Sequence, residues 1–271
     1  FAFEYKILKA RANGYHAGLT KKAKEYLYSR GLEDTDINTW NLGYAVTQEQ
    51  GKLIERITIP LIDYNQNIVG FSNRDLNDIS NAKYVNSKND NVFNKSKFFF
   101  GANYLDRNYE EIRITEGAMD VILASKYGVK NIVGLLGTAL TEEKVDIIAK
   151  LNMVPVLCLD NDSAGKKAVQ RSLQLLAEKD IFAKVFIIPS GKDMADLANE
   201  LQEDLEEYIS NHAKPYWQYQ LDESIDIYDA LIVQAKNKVF KRVLDASKAA
   251  QTEEEKALMK SYVLERIGIV L

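Results

Sequence analysis

The chain has 271 residues, enough for a full core and for one large domain or two to three small ones. Its 46% hydrophobic and 27% charged residues are an ordinary globular balance, and a net charge of −4 carries no overall nucleic-acid signature, although a local basic face can still hold phosphates. A single cysteine, Cys158, excludes an internal disulfide and a cysteine-built zinc site, and no apolar run approaches the roughly 18 residues of a membrane span. No signal-peptide pattern is present, and a reducing cytoplasm fits the cysteine usage. The chain opens at Phe1 without a methionine, so it is expected to be part of a longer protein.

Residues 1 to about 47 read as helical, polar and basic, with Lys6, Lys9, Arg11, Lys21, Lys22, Lys24 and Arg30. Thr20 ahead of Ala23, Tyr26 and Leu27 looks like the cap of an amphipathic helix, and Arg30-Gly31 like its stop. A basic helix face of this kind is more often solvated than bound to nucleic acid. Residues 57–62 and 68–72 are β-rich and flank a turn at 64–67, which is a hairpin by its turn chemistry. Gly70 in the return strand suggests close backbone approach. A polar stretch then carries Lys83-Tyr84-Val85-Asn86-Ser87. It is followed by residues 93–101, where lysines interleave with aromatics. Such a segment can hold phosphates and stack bases, or it can form a snorkelling edge strand. On the residues alone the structural reading is the better one.

From Asn108 strands and helices alternate. Strands are expected at 111–115, 131–135, 154–159 and 183–188. Helices are expected at 118–127, 141–150 and 164–178, with another after 192. This rhythm is that of a parallel sheet with crossover helices. The remainder reads as helical and charged, with candidate helices at 203–209, 225–244 and 253–267. Trp217, Tyr216 and Tyr219 look like packing at a junction.

Chemistry concentrates at one edge of the expected parallel sheet. Five of the six residues before Asp160 are apolar, as in a strand covered on both faces. Asp160 and Asp162 then stand at its carboxyl tip, where open parallel sheets bind ligands. Paired carboxylates there can hold a hard cation through oxygen. Alternatively, Asp160 caps the next helix and Asp162 is a loop acid. Glu116 ends the first strand of the unit, and Asp193 and Asp196 follow the fourth. Asp120 lies one helical turn beyond Glu116. Acids at three tips of one sheet repel one another unless a cation sits between them, which favours the metal reading.

Glu116-Gly117-Ala118-Met119-Asp120 with Asp160-Asn161-Asp162-Ser163-Ala164-Gly165 resembles the TOPRIM signature. That domain is shared by bacterial-type primases, type IA and II topoisomerases, some nucleases and recombination proteins. Residues 134–141, Gly-Leu-Leu-Gly-Thr-Ala-Leu-Thr, look like the primase version. Six further pieces, at 26–32, 42–45, 56–60, 70–74, 83–87 and 93–95, occur in the order found in DnaG-type primases. The resemblance covers about residues 1 to 200. It departs from the family at Ser72-Asn73, where Gly-Gly is usual, and at Lys88, where Pro is usual. The late Asp-Pro-Asp is Asp193-Met194-Ala195-Asp196 here, so the second acid is displaced by one.

The resemblance implies an α/β fold, α+β overall. It would comprise an N-terminal mixed α/β subdomain (1–107), a central TOPRIM parallel sheet flanked by helices (108–200) and a C-terminal helical subdomain (201–271). It implies synthesis of short RNA primers from ribonucleoside triphosphates on single-stranded DNA, assisted by two or more Mg²⁺ or Mn²⁺ ions. Glu116, Asp160 and Asp162 would be catalytic. The metal ligands would be Glu116, Asp160, Asp162 and Asp193, with Asp196 at the shifted position and Asp120 in support. Arg56, Arg74, Lys83, Asn86 and Lys95 would bind nucleotide and template, and His16 would make a local hydrogen bond. A monomer is expected, acting in the cytoplasm of a bacterium or in a phage-infected host. A replicative helicase would be reached through regions outside this chain, and the family's zinc-binding module is not among these 271 residues. The alternatives are a TOPRIM nuclease, a topoisomerase-related fragment, which lacks a recognisable tyrosine-nucleophile motif, and a non-catalytic binding module.

Overall fold

The computed structural model describes residues 1–49, 51–137, 139–189, 191–229, 245, 248, 250 and 252–267. Thr138 of the primase-like stretch, Ser190 of the expected turn, and most of the helix expected at 225–244 therefore lie outside the described residues. Three helices open the chain: α1 (Ala2–Ala17), α2 (Lys21–Ser29) and α3 (Asp34–Thr39). The Thr20 hydroxyl accepts from the Ala23 amide at 3.2 Å, so the cap legible in the sequence is present. The helical region ends earlier than expected. Strand β1 (Gly43–Glu49) pairs antiparallel with β2 (Lys52–Ile62), with Gly51 at φ +79° in the turn. That tight turn brings the Tyr44–Thr47 segment onto β2, and cross-strand pairing overrides its weak local signal.

The expected hairpin is present and longer than the sequence indicated. Strand β3 (Ile68–Asp75) returns along β2 after a turn in which the Asp63 carboxylate accepts from the amides of Asn65 and Asn67 at 2.9 and 2.8 Å. Strand β4 (Tyr84–Asn86) completes a sheet of order β1-β2-β3-β4. The lysine–aromatic stretch is neither a base-stacking platform nor an edge strand. Phe93, Phe98, Phe99 and Phe100 are buried, with a short 3-10 turn, Lys95–Lys97, among them. Phe100 exchanges backbone hydrogen bonds with Gly134 and stacks on Trp40, welding the first sheet's layer to the second.

The second sheet has strands β5 (Glu111–Thr115), β6 (Ile132–Gly134), β7 (Val154–Leu157), β8 (Lys184–Val185) and β9 (Lys214–Pro215), in the order β6-β5-β7-β8-β9. The first four are parallel, and the two-residue β9 adds an antiparallel edge absent from the sequence reading. Helices α4 (Ala118–Lys126), α5 (Glu142–Leu151) and α6 (Ser163–Ala177) make the three crossovers, followed by α7 (Met194–Leu201), α8 (Leu205–His212) and α9 (Tyr216–Asp229). A last helix, Glu253–Ile267, falls on the expected residues.

Both faces of β7 are covered. Val156 and Cys158 join the core shared with α2, α3, α4, α7 and α8, while Leu157 and Leu159 join the core under α5 and α6. This accounts for the unbroken apolar run before Asp160. Trp217 packs with Leu221, Met259 and Val263, and Tyr219 with the α5–α6 core, so the aromatic group does stand at a junction. Among the described residues no helix is long and apolar enough to cross a membrane.

Candidate active site at the acidic sheet edge

The carboxyl ends of β5, β7 and β8 bring Glu116, Asp160 and Asp193 to one edge, as the strand rhythm predicts. Beyond β7 the chain turns abruptly into α6. A Cβ at Gly165 would stand 1.9 Å from the Asp160 carbonyl oxygen, so only glycine admits this approach. The Asp160 amide donates to Glu116 Oε1 at 3.2 Å, linking the two strand tips. Asp160 Oδ1 is buried and has no hydrogen-bond partner. Burial first, then the charges of Glu116, Asp193, Asp162 and Asp196, push the Asp160 carboxyl up to about 6. Burial also raises Glu116, and the neighbouring Asp120 and Asp162 add to that.

Asp162 joins the two readings of the tip. It does cap a helix, accepting from the amides of Ala164 and Gly165 at 2.8 and 2.7 Å. Asp160 is not a cap. Asp193 caps α7, accepting from the Asp196 amide at 2.8 Å, while Asp196 Oδ2 reaches back to the Asp193 amide at 3.4 Å. Asp196 is exposed, and the displaced acid of the sequence motif therefore serves as the far half of a capping box. Asp120 is buried. It accepts from the Gly117 amide at 2.8 Å and from the Ala195 amide at 3.3 Å, stapling the start of α4 to the start of α7. Burial first, then Asp193, lift its carboxyl to about 7. Among the described residues, no three His, Cys, Asp or Glu side chains converge closely enough, as they stand, to form a joint metal cage.

A cleft of about 210 Å³ separates this edge from the first sheet. Glu116, Asp120, Asp160 and Asp193 line one side, and Arg74, Lys83, Tyr84 and Asn86 the other. Arg74 is held between two tyrosines, its guanidinium 5.4 Å from the Tyr26 ring centroid and 5.2 Å from that of Tyr84, and it donates to the Tyr26 hydroxyl. Lys83 is exposed at the rim. Asn86 gives its amide nitrogen to the Leu136 carbonyl at 3.2 Å, and its buried Oδ1 has no partner. The atom left open is therefore an acceptor.

Two expected cations are not brought to the cleft. Arg56 is 1% exposed and spends its guanidinium on Glu49 at 2.6 Å, Thr47 at 3.2 Å and the Asn73 carbonyl at 3.2 Å. It ties three strands together and is not among the residues that line this cleft. Lys95 lies on the 3-10 turn outside the cleft lining, with its pKa lowered by burial. Arg30 was missed. It lines the cleft, and its buried Nε lacks a partner. The sequence shows it as one of the basic residues of the first segment and as a helix stop, not as a residue of the cleft, and its carbonyl accepts from Asn199 at 3.1 Å. His16 bonds the Leu42 carbonyl at 2.7 Å, the local role expected of it.

Carboxylates on the strand tips of a helix-flanked parallel sheet define a Toprim-like unit, and the sequence profile described as Toprim-like matches residues 113–198. The profile for the N-terminal domain of the DNA primase catalytic core matches residues 51–106. A DNA primase of Campylobacter jejuni is 36% identical over 230 residues, which is 72% of this chain and 38% of that protein. A DNA primase domain from Pseudomonas aeruginosa superposes with a TM-score of 0.79 at 25% identity, over 98% of this chain and 96% of that one. The DnaG primase catalytic domain bound to single-stranded DNA gives a TM-score of 0.79 at 19% identity, over 99% and 96%. The chain belongs to the DnaG-type primase family, and what it spans is the catalytic core.

Proposed function

We propose that this chain synthesises short RNA primers from ribonucleoside triphosphates on a single-stranded DNA template. One observation carries the reading. Asp160, which carries an unpartnered, buried carboxylate oxygen, lines a cleft of about 210 Å³ together with Arg74, Lys83 and Asn86. The similarity to primases of both the N-terminal lobe and the Toprim-like unit supports it.

The donor set suits a divalent cation. Mutually repelling carboxylates with raised pKa values and an orphaned oxygen are relieved by protons at low pH and, where they are ionised, by a hard cation. Glu116, Asp160, Asp162 and Asp193 are the residues that would hold Mg²⁺ or Mn²⁺, two ions or more, with Asp196 at the rim and Asp120 bracing the starts of α4 and α7. When bound, such ions neutralise charge on the transferring phosphoryl group and on the attacking and leaving oxygens. Arg74 is fixed by Tyr26 and Tyr84 and grips triphosphate without needing to be ordered first. Lys83 and Arg30 add charge along the same wall. Asn86 Oδ1 is placed to accept from a sugar hydroxyl or a base amine. The exposed basic residues of α1 offer a surface for the template backbone.

The lobes of this machine are proposed at 1–107, 108–200 and 201–271, working as a monomer in the cytoplasm, with helicase contacts outside this chain. The test is incubation with single-stranded DNA, labelled ribonucleotides and Mg²⁺. Template-dependent RNA of short length is expected, and its loss in Asp160→Ala and Glu116→Gln with circular dichroism unchanged. Degradation of labelled DNA without RNA synthesis would instead mark a Toprim nuclease.

A further inference from the structure

Lys144 is a buried cation that the cleft chemistry does not use. It sits in the first turn of α5 and is 0% exposed. Burial and the neighbouring charges weigh on balance against a positive charge here, although the adjacent Glu143 favours it. Burial strips its water. The first turn of a helix carries the positive end of the dipole. Burial first, then the nearby Lys95, pull its amine down to about 8. Its nitrogen lies 5.4 Å from the centre of the Phe99 ring, and Val145 and Ile148 of the same helix are core residues. A methionine would occupy this volume without the charge.

The ammonium makes a charge-assisted hydrogen bond to the Leu135 carbonyl, at 3.2 Å. That carbonyl precedes two residues in the left-handed region, Leu136 at φ +61° and Gly137 at φ +76°. Glycine adopts this conformation freely, but a buried leucine does so only where its surroundings enforce it. The same loop is held from the cleft side. Asn86 donates to the Leu136 carbonyl at 3.2 Å, and the Gly137 amide donates to the Glu116 carbonyl at 3.1 Å. Consecutive residues thus touch Lys144, the cationic wall and the acidic edge. The start of α5 is itself anchored, because the Thr141 hydroxyl donates to the Ser96 carbonyl at 2.6 Å.

We infer that Lys144 is a positioning residue: its bond to the Leu135 carbonyl holds loop 135–137 in its left-handed form and thereby sets the spacing of Asn86 from Glu116 across the cleft. The kinetic consequence rests on the proposed primer synthesis, and the structural consequence does not.

The test compares Lys144→Met and Lys144→Arg with the unaltered protein, using hydrogen exchange of the Gly137 amide and steady-state primer synthesis. Lys144→Met is expected to melt no lower than wild type. Its Gly137 amide should exchange about tenfold faster or more, and kcat should fall about tenfold or more while KM for the nucleotide shifts less than about threefold. Lys144→Arg should restore both. Unchanged Gly137 exchange in Lys144→Met, an unchanged kcat, or an arginine variant as slow as the methionine one overturns the inference. Should Lys144→Met fail to fold, Lys144→Gln is read by the same criteria. If the unaltered protein makes no primers, the reading of the cleft fails, and the exchange measurement alone decides the claim about the loop.

Discussion

Arg56 and Arg74 lie on neighbouring strands of one sheet, and the pleat sends them to opposite faces. Arg56 pairs across the ladder with Asp75, while Arg74 pairs with Ile57, so side chains one step apart alternate. Both arginines stand in strand-like segments of the sequence, and only the register decides which one meets the cleft. Arg56→Ala is therefore expected to cost on the order of 2–4 kcal/mol in urea denaturation, through lost packing and unpaired hydrogen bonds, with nucleotide affinity little changed. Lys83→Ala should do the reverse. Its side chain is exposed at the rim, so stability should hold while nucleotide or template binding weakens more than Mg²⁺ binding, as parallel titrations would reveal. A Lys83→Ala protein with unaltered nucleotide and template affinity would remove that residue from the site. Arg30 and Asn86 make the same point. That Arg30 lines the cleft, and that the open atom of Asn86 is an acceptor, follow from packing and not from spacing.

At the scale of elements, the strongly periodic segments were legible. The acidic tips, the crossovers α4 to α6, the helix α7 and the helix Glu253–Ile267 follow from apolar runs, caps and glycine stops. Strand β1 was not legible, because its pairing with β2 outweighs a weak local preference. Neither was β9, whose two residues acquire strand character only by meeting β8. Strand β8 is shorter than its apolar run, although the Phe186 amide still bonds the Leu157 carbonyl at 2.9 Å, so burial extends past the regular ladder. Gly165 is where element geometry controls the site. Gly165→Ala places a methyl 1.9 Å from the Asp160 carbonyl, so the start of α6 must move. A loss of about 2 kcal/mol or more, with primer synthesis falling further than Tm alone accounts for, is expected. A Gly165→Ala protein with unchanged Tm and rate would show that the tip tolerates a looser approach.

At the scale of the whole molecule, the acidic edge couples folding to protons and to metal. Glu116, Asp120 and Asp160 all have carboxyls raised by folding, Asp120 to about 7 and Asp160 to about 6. Between about pH 4 and 7 the folded protein then retains protons that the unfolded chain releases, so stability falls as pH rises through that window. Metal-free protein should melt on the order of 3 °C or more lower at pH 8 than at pH 5.5, and Mg²⁺ should raise Tm chiefly at the higher pH. A Tm that is flat with pH and indifferent to Mg²⁺ would contradict this coupling. The most direct test of the central claim is a crystal soaked with Mn²⁺ and a ribonucleoside triphosphate, read by anomalous scattering. Manganese is expected on Asp160 and Glu116, with the triphosphate against Arg74 and Lys83. Triphosphate in the cleft with no manganese on these carboxylates, or nucleotide bound elsewhere, would contradict it.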